Sequence, residues 1–317
     1  MTVFTAAASQ AGVNMSDNTT FYGSIITNTT SQLTVASGSQ RQDYYGSFNY
    51  SATDVFGVLT GTRYINTATG LTYTANGFTY DANLAAKYIN SGSSGVLIYD
   101  VLAGNDQITG SAYADVLVGY NGNDVITGGA GNDSINGGDG IDTVVLNTSR
   151  SNVTITRSGN SIRLTDATGA TGTDTLTSVE RIKFVDATVA LDISGSGGQA
   201  YRLYQAAFNR TPDKGGLGFH MNDLDNGATL TQIAQNFINS PEFSQTYGSL
   251  NDMQFVTQLY ANVLHRGPDA NGLDYHVKNL ANGMSRAQTL VGFSESPENQ
   301  ASLIGVIQNG FEYIPAV

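Results

Sequence analysis

The chain lacks cysteine altogether, so its stability must come from packing or bound metal and not from disulfide bonds. It also has no apolar run near the roughly 18 residues that span a membrane. Its 14 Lys and Arg residues are outnumbered by 26 Asp and Glu, which gives a formal net charge of −12. Because proteins bind nucleic acids through basic surfaces that displace counterions, nucleic-acid binding is excluded as a function class.

Familiar catalytic motifs are missing as well. The three histidines, His220, His265 and His276, belong to no H-E-x-x-H zinc helix, and no G-x-S-x-G nucleophile elbow occurs. Residues 1–100 contain no histidine, cysteine or glutamate, so an enzyme there would need a site built from Asp, Ser and Tyr. We therefore predict that the chain is not an enzyme.

Five nine-residue blocks follow one another without interruption from Val101 to Val145. The sixth and eighth positions of a block share one face of an extended segment, so the aliphatic eighth residue packs inward and the acidic sixth residue lies at the inner edge of a turn. One block then makes a turn and a short strand, and two blocks complete a coil. The acids are Asp106, Asp115, Asp124, Asp133 and Asp142, and glycine takes the fourth position at Gly104, Gly122, Gly131 and Gly140.

These acids predict calcium. Carboxylates stacked one coil apart, at about 5 Å, repel each other unless a cation lies between them. Calcium accepts six to eight hard oxygens, which here include backbone carbonyls of the glycine-rich turns. Further side-chain oxygens either join this shell or only stabilise the turns. They belong to Asn105, Asn123, Asn132 and Asp139.

An 18-residue coil pairs Asp106 with Asp124, Asp115 with Asp133, and Asp124 with Asp142. The pairing predicts about three calcium ions. Because Asp124 belongs to two pairs, Asp124→Ala is expected to harm calcium binding more than Asp106→Ala or Asp142→Ala.

The blocks fit the pattern G-G-x-G-x-D-x-U-x and resemble the nonapeptide repeats of RTX proteins. That resemblance implies a parallel β-roll, Ca²⁺ as cofactor and export by a type I secretion machinery that reads an uncleaved carboxyl-terminal signal. Residues 301–317, which are apolar and poor in charge, suit such a signal, whereas the amino terminus lacks a Sec-type signal. We therefore expect a bacterial protein that is secreted, extracellular or on the cell surface.

Residues 1–100 form a β-rich module, because Thr- and Tyr-rich segments alternate with Gly, Asn and Asp turns. We expect a β-meander or a β-sandwich, with a short helix at residues 82–89 and a serine-rich loop at residues 91–95. Its tyrosines are interpreted as cross-strand packing residues, the alternative being a sugar-stacking surface. They include Tyr44, Tyr45, Tyr50, Tyr64, Tyr73 and Tyr80.

Residues 146–193 alternate apolar and polar residues and are predicted to be β-hairpins that cap the roll. Within them, residues 174–186 resemble the capping hairpins that follow RTX rolls. Glu180, Arg181 and Lys183 are interpreted as the charged outer face of this cap. Residues 194–198, Ser-Gly-Ser-Gly-Gly, are predicted to be a flexible linker.

Residues 199–300 are predicted to be a duplicated helical module whose copies are offset by 56 residues. The motif R-x-P-D-x-x-G-L, at Arg210 and again at Arg266, resembles a family of unknown function found in RTX and surface-layer proteins. Asp213 and Asp269 are expected to hydrogen-bond the turn that starts the next helix. The equivalent His220 and His276 are expected to be buried hydrogen-bonding residues.

The sequence thus predicts a multidomain, mainly β protein with an α-helical C-terminal domain. From the N-terminus it contains a β-rich module, a short parallel β-roll at 101–145, capping hairpins, a helical repeat module and a tail at 301–317. The favoured function is a secreted, calcium-dependent structural protein that folds outside the cell. Its partner would be itself, in a surface layer, filament or biofilm matrix. The alternative is a monomeric calcium-dependent adhesin that binds a cell-surface glycan.

Overall fold

The computed structural model describes every residue except 2, 7–23, 52–53, 69–70, 91–93 and 317. The chain divides into two compact units, Met1–Asp186 and Ala187–Val317. The first unit is rich in strands and contains the repeat region, and the second is mostly helical. This confirms the predicted combination of β-rich, parallel-strand and helical parts.

The first unit begins with a sheet in which β2 to β6 pair with their sequence neighbours in antiparallel order. The described part of residues 1–100 is therefore a meander, so the sandwich alternative is wrong. Residues 7–23 of the predicted β-rich module lie outside the described residues. The strands are β1 Val3–Ala6, β2 Ser24–Asn28, β3 Gln32–Ser37, β4 Gln40–Tyr50, β5 Val55–Asn66 and β6 Leu71–Asp81.

Two helices follow the meander, α1 at Ala82–Asn90 and α2 at Ser94–Val101. The first agrees with the predicted helix. The second was not predicted, because its start is rich in serine and glycine. Phe48, Leu59 and Leu97 are among the buried residues of the small core that joins these helices to the sheet.

The repeat region forms short parallel strands that alternate between two sheets. β7, β9 and β11 are neighbours in one sheet, and β8 pairs with β10 in the other. The register aligns Ile108 with Ile126 and Ile126 with Val144, so one coil spans 18 residues as predicted. The strands are β7 Gln107–Thr109, β8 Val116–Val118, β9 Val125–Thr127, β10 Ser134–Asn136 and β11 Thr143–Val145.

The aliphatic residue at the eighth position of each block forms the core between the two sheets. All five of these side chains are at most 1% exposed. They are Ile108, Leu117, Ile126, Ile135 and Val144.

Strand β1 connects the meander to the roll. It pairs antiparallel with β6 on one side and parallel with β7 on the other, with Val3 opposite Gln107. The meander and one face of the roll therefore share a continuous sheet.

The segment predicted as a cap contains a hairpin and two further roll strands. β12 and β13 pair antiparallel, and β13 continues antiparallel to β14. β14 is also parallel to β10, and β15 is parallel to β11, so both strands extend the roll. Arg181 is 3% exposed, so its assignment to a charged outer face was wrong. The strands are β12 Val153–Ser158, β13 Ser161–Asp166, β14 Thr173–Thr177 and β15 Arg181–Lys183, and a 3-10 turn covers Arg150–Asn152.

The second unit contains the helical repeat and a two-stranded ribbon, β16 Thr188–Ala190 with β17 Phe311–Tyr313. Helices α3 to α5 and α7 to α9 have identical bounds when shifted by 56 residues, and α6 and α10 start at equivalent prolines. The helices are α3 Ser196–Phe208, α4 Lys214–Asp225, α5 Leu230–Ile238, α6 Pro241–Tyr247, α7 Asp252–Leu264, α8 Ala270–Ala281, α9 Arg286–Ser294 and α10 Pro297–Ile307.

The predicted flexible linker is wrong. Ser196 starts helix α3, and Gly197 and Gly198 are buried in it. A Cβ on Gly198 would lie 1.9 Å from the carbonyl oxygen of Ile193, so glycine here serves a close backbone contact and not flexibility. Residues of the predicted tail fall in α10 and in β17.

Neighbouring residues on strand β9 provide a test of this core. Ile126→Ala is expected to lower the free energy of unfolding by about 2–5 kcal/mol, because the side chain is fully buried and leaves a cavity. Val125→Ala is the matched control, since Val125 is 40% exposed, and it should cost less than about 1 kcal/mol. Urea unfolding at saturating calcium measures both, and equal losses would contradict the inward-facing assignment.

Candidate calcium site

The acids of the repeats form two hydrogen-bonded ladders. The first ladder consists of Asp106, Asp124 and Asp142, and the carboxylates of Asp124 and Asp142 each accept a hydrogen bond from the backbone N–H of the acid one coil earlier. The N–H of Asp106 donates to Asp124 Oδ1, and that of Asp124 to Asp142 Oδ1, both at 2.8 Å. The N–H of Asp142 donates to Glu180 Oε2 at 2.9 Å, so the ladder continues to Glu180, the residue directly before β15.

The second ladder consists of Asp115 and Asp133 and lies on the strands of the other sheet. The N–H of Asp115 donates to Asp133 Oδ1 at 2.9 Å, and the N–H of Asp133 donates to Asp174 Oδ1 at 3.0 Å. The structure thus brings together all three pairs predicted from the 18-residue spacing. It also corrects one expectation, since Asp142 lies between Asp124 and Glu180 and is not the end of its ladder.

Sequence reasoning missed Asp174 and Glu180 as ladder members. Each lies two residues before a fully buried aliphatic residue, Leu176 or Ile182, which is the same spacing as in the repeats. That spacing was the signal that could have found them. The 41 residues between Asp133 and Asp174 hid it, because the repeat sequence alone has a period of nine.

The ladders leave one oxygen of each inner carboxylate without a partner. Asp124, Asp133 and Asp142 are at most 2% exposed, and the buried Oδ2 atom of each has no hydrogen-bond partner. A buried carboxylate oxygen needs a cation, a donor or a proton. A hard divalent cation such as calcium fits this oxygen.

Glycine at the first position of the second to fifth blocks makes room for the carboxylate. A Cβ on Gly119 would lie 2.2 Å from Asp124 Oδ2, and one on Gly128 would lie 2.3 Å from Asp133 Oδ2. The carboxylate therefore lies inside its own turn, where a side chain would displace it.

Glycine at the fourth position serves the stacking of the turns. Gly122, Gly131 and Gly140 have φ values of 114°, 128° and 133°, which only glycine adopts readily. A Cβ on Gly140 would lie 2.1 Å from the carbonyl oxygen of Gly122, and one on Gly122 would lie 2.3 Å from that of Gly104. The carbonyl of one turn therefore lies directly against the glycine of the next turn, where a side chain would not fit.

The asparagine side chains tie each turn to the next coil. Asn105 Oδ1 accepts from the N–H of Asn123, Asn123 Oδ1 from that of Ile141, and Asn132 Oδ1 from that of Thr173, each at 2.8 Å. Their placement favours turn stabilisation, the alternative left open by the sequence. Asp139 is exposed, and its charge contributes to the raised pKa of Asp142.

Burial dominates the acidity of the ladder carboxylates. It raises the pKa of Asp124 and of Asp133 to about 7 and that of Asp142 to about 6, although each carboxylate accepts a backbone hydrogen bond that lowers it. Charges of ladder neighbours raise the pKa values of Asp124 and Asp133 further. Without a cation, these carboxylates keep their protons to a higher pH than an ordinary carboxyl group does.

The ladders are files of single carboxylates and not compact acidic clusters. Among the described residues, no group of three or more histidine and acidic side chains is gathered closely enough to hold a metal alone. Calcium in the roll must therefore take much of its shell from the stacked backbone carbonyls. Of the helices among the described residues, none is both long enough and apolar enough to cross a bilayer.

Two family models match the chain. The RTX calcium-binding nonapeptide repeat, in four copies, matches residues 109–144, and the Domain of unknown function (DUF4214) matches residues 234–303. The chain therefore carries an RTX repeat region, which binds Ca²⁺, followed by that helical domain. The match begins at the last residue of the first block and so leaves out Asp106, although Asp106 is part of the first ladder.

Among solved structures, the chain is similar to the extracellular lipase LipA from Serratia marcescens, at 22% identity with a TM-score of 0.27. The match covers 29% of this chain and 16% of the lipase, so the chain spans only a small part of that protein. A likeness of this size supports no inference about the activity of this chain. No curated protein matches its sequence.

The side chains of the R-x-P-D-x-x-G-L motif form contacts within the helical domain. The Arg210 guanidinium lies 5.4 Å from the centroid of the Tyr204 ring and pairs with Glu242 at 2.8 Å. Asp213 caps helix α4 by accepting a hydrogen bond from the N–H of Gly216. A Cβ on Gly216 would lie 2.2 Å from the Tyr204 hydroxyl, so this position has no room for a side chain. The second copy repeats these contacts with Arg266, Tyr260, Glu298, Asp269 and Gly272. The motif is thus structural, as predicted for its aspartates.

The two equivalent histidines pack mainly against aromatic rings. The centroid of the His220 ring lies 4.8 Å from that of Phe237, and that of His276 lies 4.7 Å from that of Phe293. Nδ1 of His220 lies 3.5 Å from Asp223 Oδ2. Burial lowers the pKa of both imidazoles.

Two glycines of the roll provide a matched test of the turn geometry. Gly119→Ala would place a Cβ against Asp124 Oδ2 and is expected to cost about 1–3 kcal/mol of calcium-dependent stability, as overpacking does. Gly104→Ala is the control, because a Cβ there meets no atom within 4 Å. Circular dichroism during a calcium titration measures the folding midpoint, and the same midpoint in both variants would contradict this geometry.

The pH dependence of the metal-free protein follows from the raised pKa values. Between the ordinary carboxyl value of 3.8 and the raised values of about 6 to 7, the folded chain binds more protons than the unfolded chain. The free energy of unfolding should therefore fall as the pH rises through this window.

The measurement is the folded fraction of calcium-stripped protein, followed by circular dichroism at pH values from about 5 to 8. At saturating calcium the carboxylates are ionised, so the calcium concentration needed for folding should instead fall as the pH rises. A metal-free protein whose stability rises with pH in this window would show that the ladder carboxylates are not buried in it.

Proposed function

We propose that this chain is a secreted structural protein that folds on meeting calcium outside the cell and then assembles with further copies of itself. The observation that carries the proposal is the unpartnered, buried Oδ2 atom of Asp124, Asp133 and Asp142. Buried carboxylates that each have an unpartnered oxygen destabilise the metal-free fold at neutral pH, so the fold would depend on bound calcium.

The proposed ligands are the carboxylates of both ladders together with carbonyls of the glycine turns. When bound, calcium supplies positive charge between successive coils. The carboxylates of Asp124, Asp133 and Asp142 are oriented by accepting the ladder hydrogen bonds from the N–H groups of Asp106, Asp115 and Asp124. Asn105, Asn123 and Asn132 hold the turns in register, and exposed Asp139 adds negative charge near Asp142.

Calcium levels would then act as the folding switch. Extracellular calcium modules bind with dissociation constants of about 10⁻⁴–10⁻³ M, far above cytosolic calcium. A chain in the cytosol would stay unfolded and competent for a type I exporter. Outside, mass action by the metal would add about 2.7 kcal/mol at a hundredfold excess over the dissociation constant.

Unpaired strand edges support assembly. Among the described strands, β2 ends the sheet that joins the meander to the roll, and β12 ends the other sheet. Such edges present backbone N–H and C=O groups that can pair with another chain. Addition of strands between copies would give a surface layer, a filament or a biofilm matrix. The proposal assigns the chain no catalytic centre.

Electron microscopy of the purified protein with and without calcium tests this proposal. We expect polymers only with calcium, and we expect Asp124→Asn to abolish them because it removes a charge from a buried ladder carboxylate. Asp274→Asn is the matched control, since Asp274 is exposed and pairs only with Lys278 on the helix surface. If the calcium-loaded protein remains monomeric and binds glycans, the assembly hypothesis is wrong and the adhesin alternative is supported.

A further inference from the structure

One exposed aromatic side chain occurs at the same place in both copies of the helical module. Phe219, the sixth residue of α4, is 55% exposed, and Tyr275, the sixth residue of α8, is 61% exposed. Among the described residues of this module, no other exposed large apolar side chain has an exposed apolar equivalent in the other copy. A single exposed apolar residue is ordinary on a protein surface, whereas one that both copies share is a repeated feature.

Each exposed ring is supported by the histidine that follows it. The ring centroids of Phe219 and His220 are 5.1 Å apart, with an angle of 82° between the planes. Those of Tyr275 and His276 are also 5.1 Å apart, at 78°. Each histidine in turn packs against a buried phenylalanine of the next helix, α5 or α9. The two rings therefore have the same support, and a ligand that covers them would cost little side-chain freedom.

Polar groups surround each ring on the exposed face of its helix. Residues three or four positions apart on a helix are surface neighbours. Such neighbours are Gly215, Asn222 and Asp223 for Phe219, and Asn271, Lys278 and Asn279 for Tyr275. An aromatic face can stack on the C–H groups of a sugar ring while amide and carboxylate neighbours bond its hydroxyls. This combination of groups fits a carbohydrate.

The small size of each exposed feature favours a sugar over a protein partner. A stable protein interface covers about 800 Å² on each partner, and one aromatic side chain accounts for only about 150–250 Å². A sugar ring is close in size to one aromatic ring, so a single exposed ring suffices for it. A polysaccharide also repeats the same sugar, as the module repeats the same ring.

The charges near the rings favour neutral sugars. Lys214, the lysine of α4, pairs with Glu312. Lys278, the lysine of α8, pairs with Asp274 at 2.7 Å. Acidic side chains also outnumber basic ones in residues 187–317. A sulfated or carboxylated glycan would therefore meet a surface of net negative charge on which the lysines of both helices are already paired.

We propose that Phe219 and Tyr275 are the stacking platforms of two glycan-binding sites, one in each copy of the helical module. The ligand is a polysaccharide of neutral sugars, and a polymer that reaches both sites gains avidity. The inference goes beyond the proposed function, because it concerns the helical module and depends neither on calcium in the roll nor on assembly. It assigns the module the task of attaching the chain to a carbohydrate surface.

Binding of the full chain to immobilised polysaccharides tests the inference. With calcium present, the chain should bind at least one of the neutral polymers dextran, galactomannan and xyloglucan, and should not bind heparin or alginate. Phe219→Ala and Tyr275→Ala should each weaken binding in biolayer interferometry about fivefold to tenfold, because each removes one stacking ring. Binding to none of the neutral polymers, or to the anionic ones alone, would overturn the inference.

Two further variants serve as matched controls. Tyr275→Phe keeps the ring and copies the residue of the other site, so it should retain the binding that Tyr275→Ala loses. Met253→Ala removes a side chain that is 56% exposed on α7 and whose equivalent, Gly197, is buried, so it should leave binding unchanged. Equal losses for Tyr275→Phe and Tyr275→Ala, or for Met253→Ala and Tyr275→Ala, would show that ring stacking is not the contact.

A measurement on the unmodified chain covers the case in which the alanine variants fail to fold. In an NMR titration with the neutral polysaccharide that binds, the amides of α4 and α8 should shift and those of the roll strands should not. Shifts confined to the meander or to the roll would place the glycan elsewhere and overturn the inference. The presence or absence of calcium-dependent polymers in electron microscopy, which tests the proposed function, is a separate result.

Discussion

The roll depends on a carboxylate that is shared between two coils. One oxygen of each inner ladder aspartate accepts the backbone N–H of the acid one coil earlier, at 2.8–3.0 Å, and this contact sets the stacking of the coils. The same contact buries the carboxylate and leaves Oδ2 of Asp124, Asp133 and Asp142 inside the turns without a partner. Burying such an oxygen costs free energy unless a cation or a proton compensates it. The hydrogen bonds that organise the roll therefore also create the need for a compensating cation or proton beside these oxygens.

The coil geometry could be predicted because it is local and periodic. Alternation places the sixth and eighth positions on one face, and a nine-residue period then fixes the 18-residue pairing of Ile108 with Ile126 and of Asp106 with Asp124. The continuation to Asp174 could not be found in this way, because a hairpin stretches the same pairing to 41 residues. Nonlocal insertions change the sequence distance and leave the hydrogen bonds unchanged. Burial of Arg181 escaped prediction for a related reason, since an alternating segment does not show which face another strand will cover.

In the helical domain, the sequence predicted the duplication but not the contacts that the repeated arginine makes with other helices. Capping residues could be assigned because they act within four residues of their partners, as Asp213 does toward Gly216. Arg210, in the loop after α3, contacts Tyr204 of α3 and Glu242 of α6, and only the folded chain reveals these contacts. The glycines at residues 197 and 198 gave the opposite error. Glycine predicts flexibility when its surroundings are unknown, whereas here it permits a backbone contact that a Cβ would block.

Strand β1 makes the N-terminal sheet sensitive to the state of the roll. It lies between β6 of the meander and β7 of the first coil, and its pairing with β7 is parallel. β7 is only three residues long, so its position depends on β9 beside it and on the contact between Asp106 and Asp124 at the adjoining turn. A cation at that turn would stabilise the coil against which β1 pairs. The carboxylate ladder therefore orders the repeats and also supports the edge through which the β-rich module joins them.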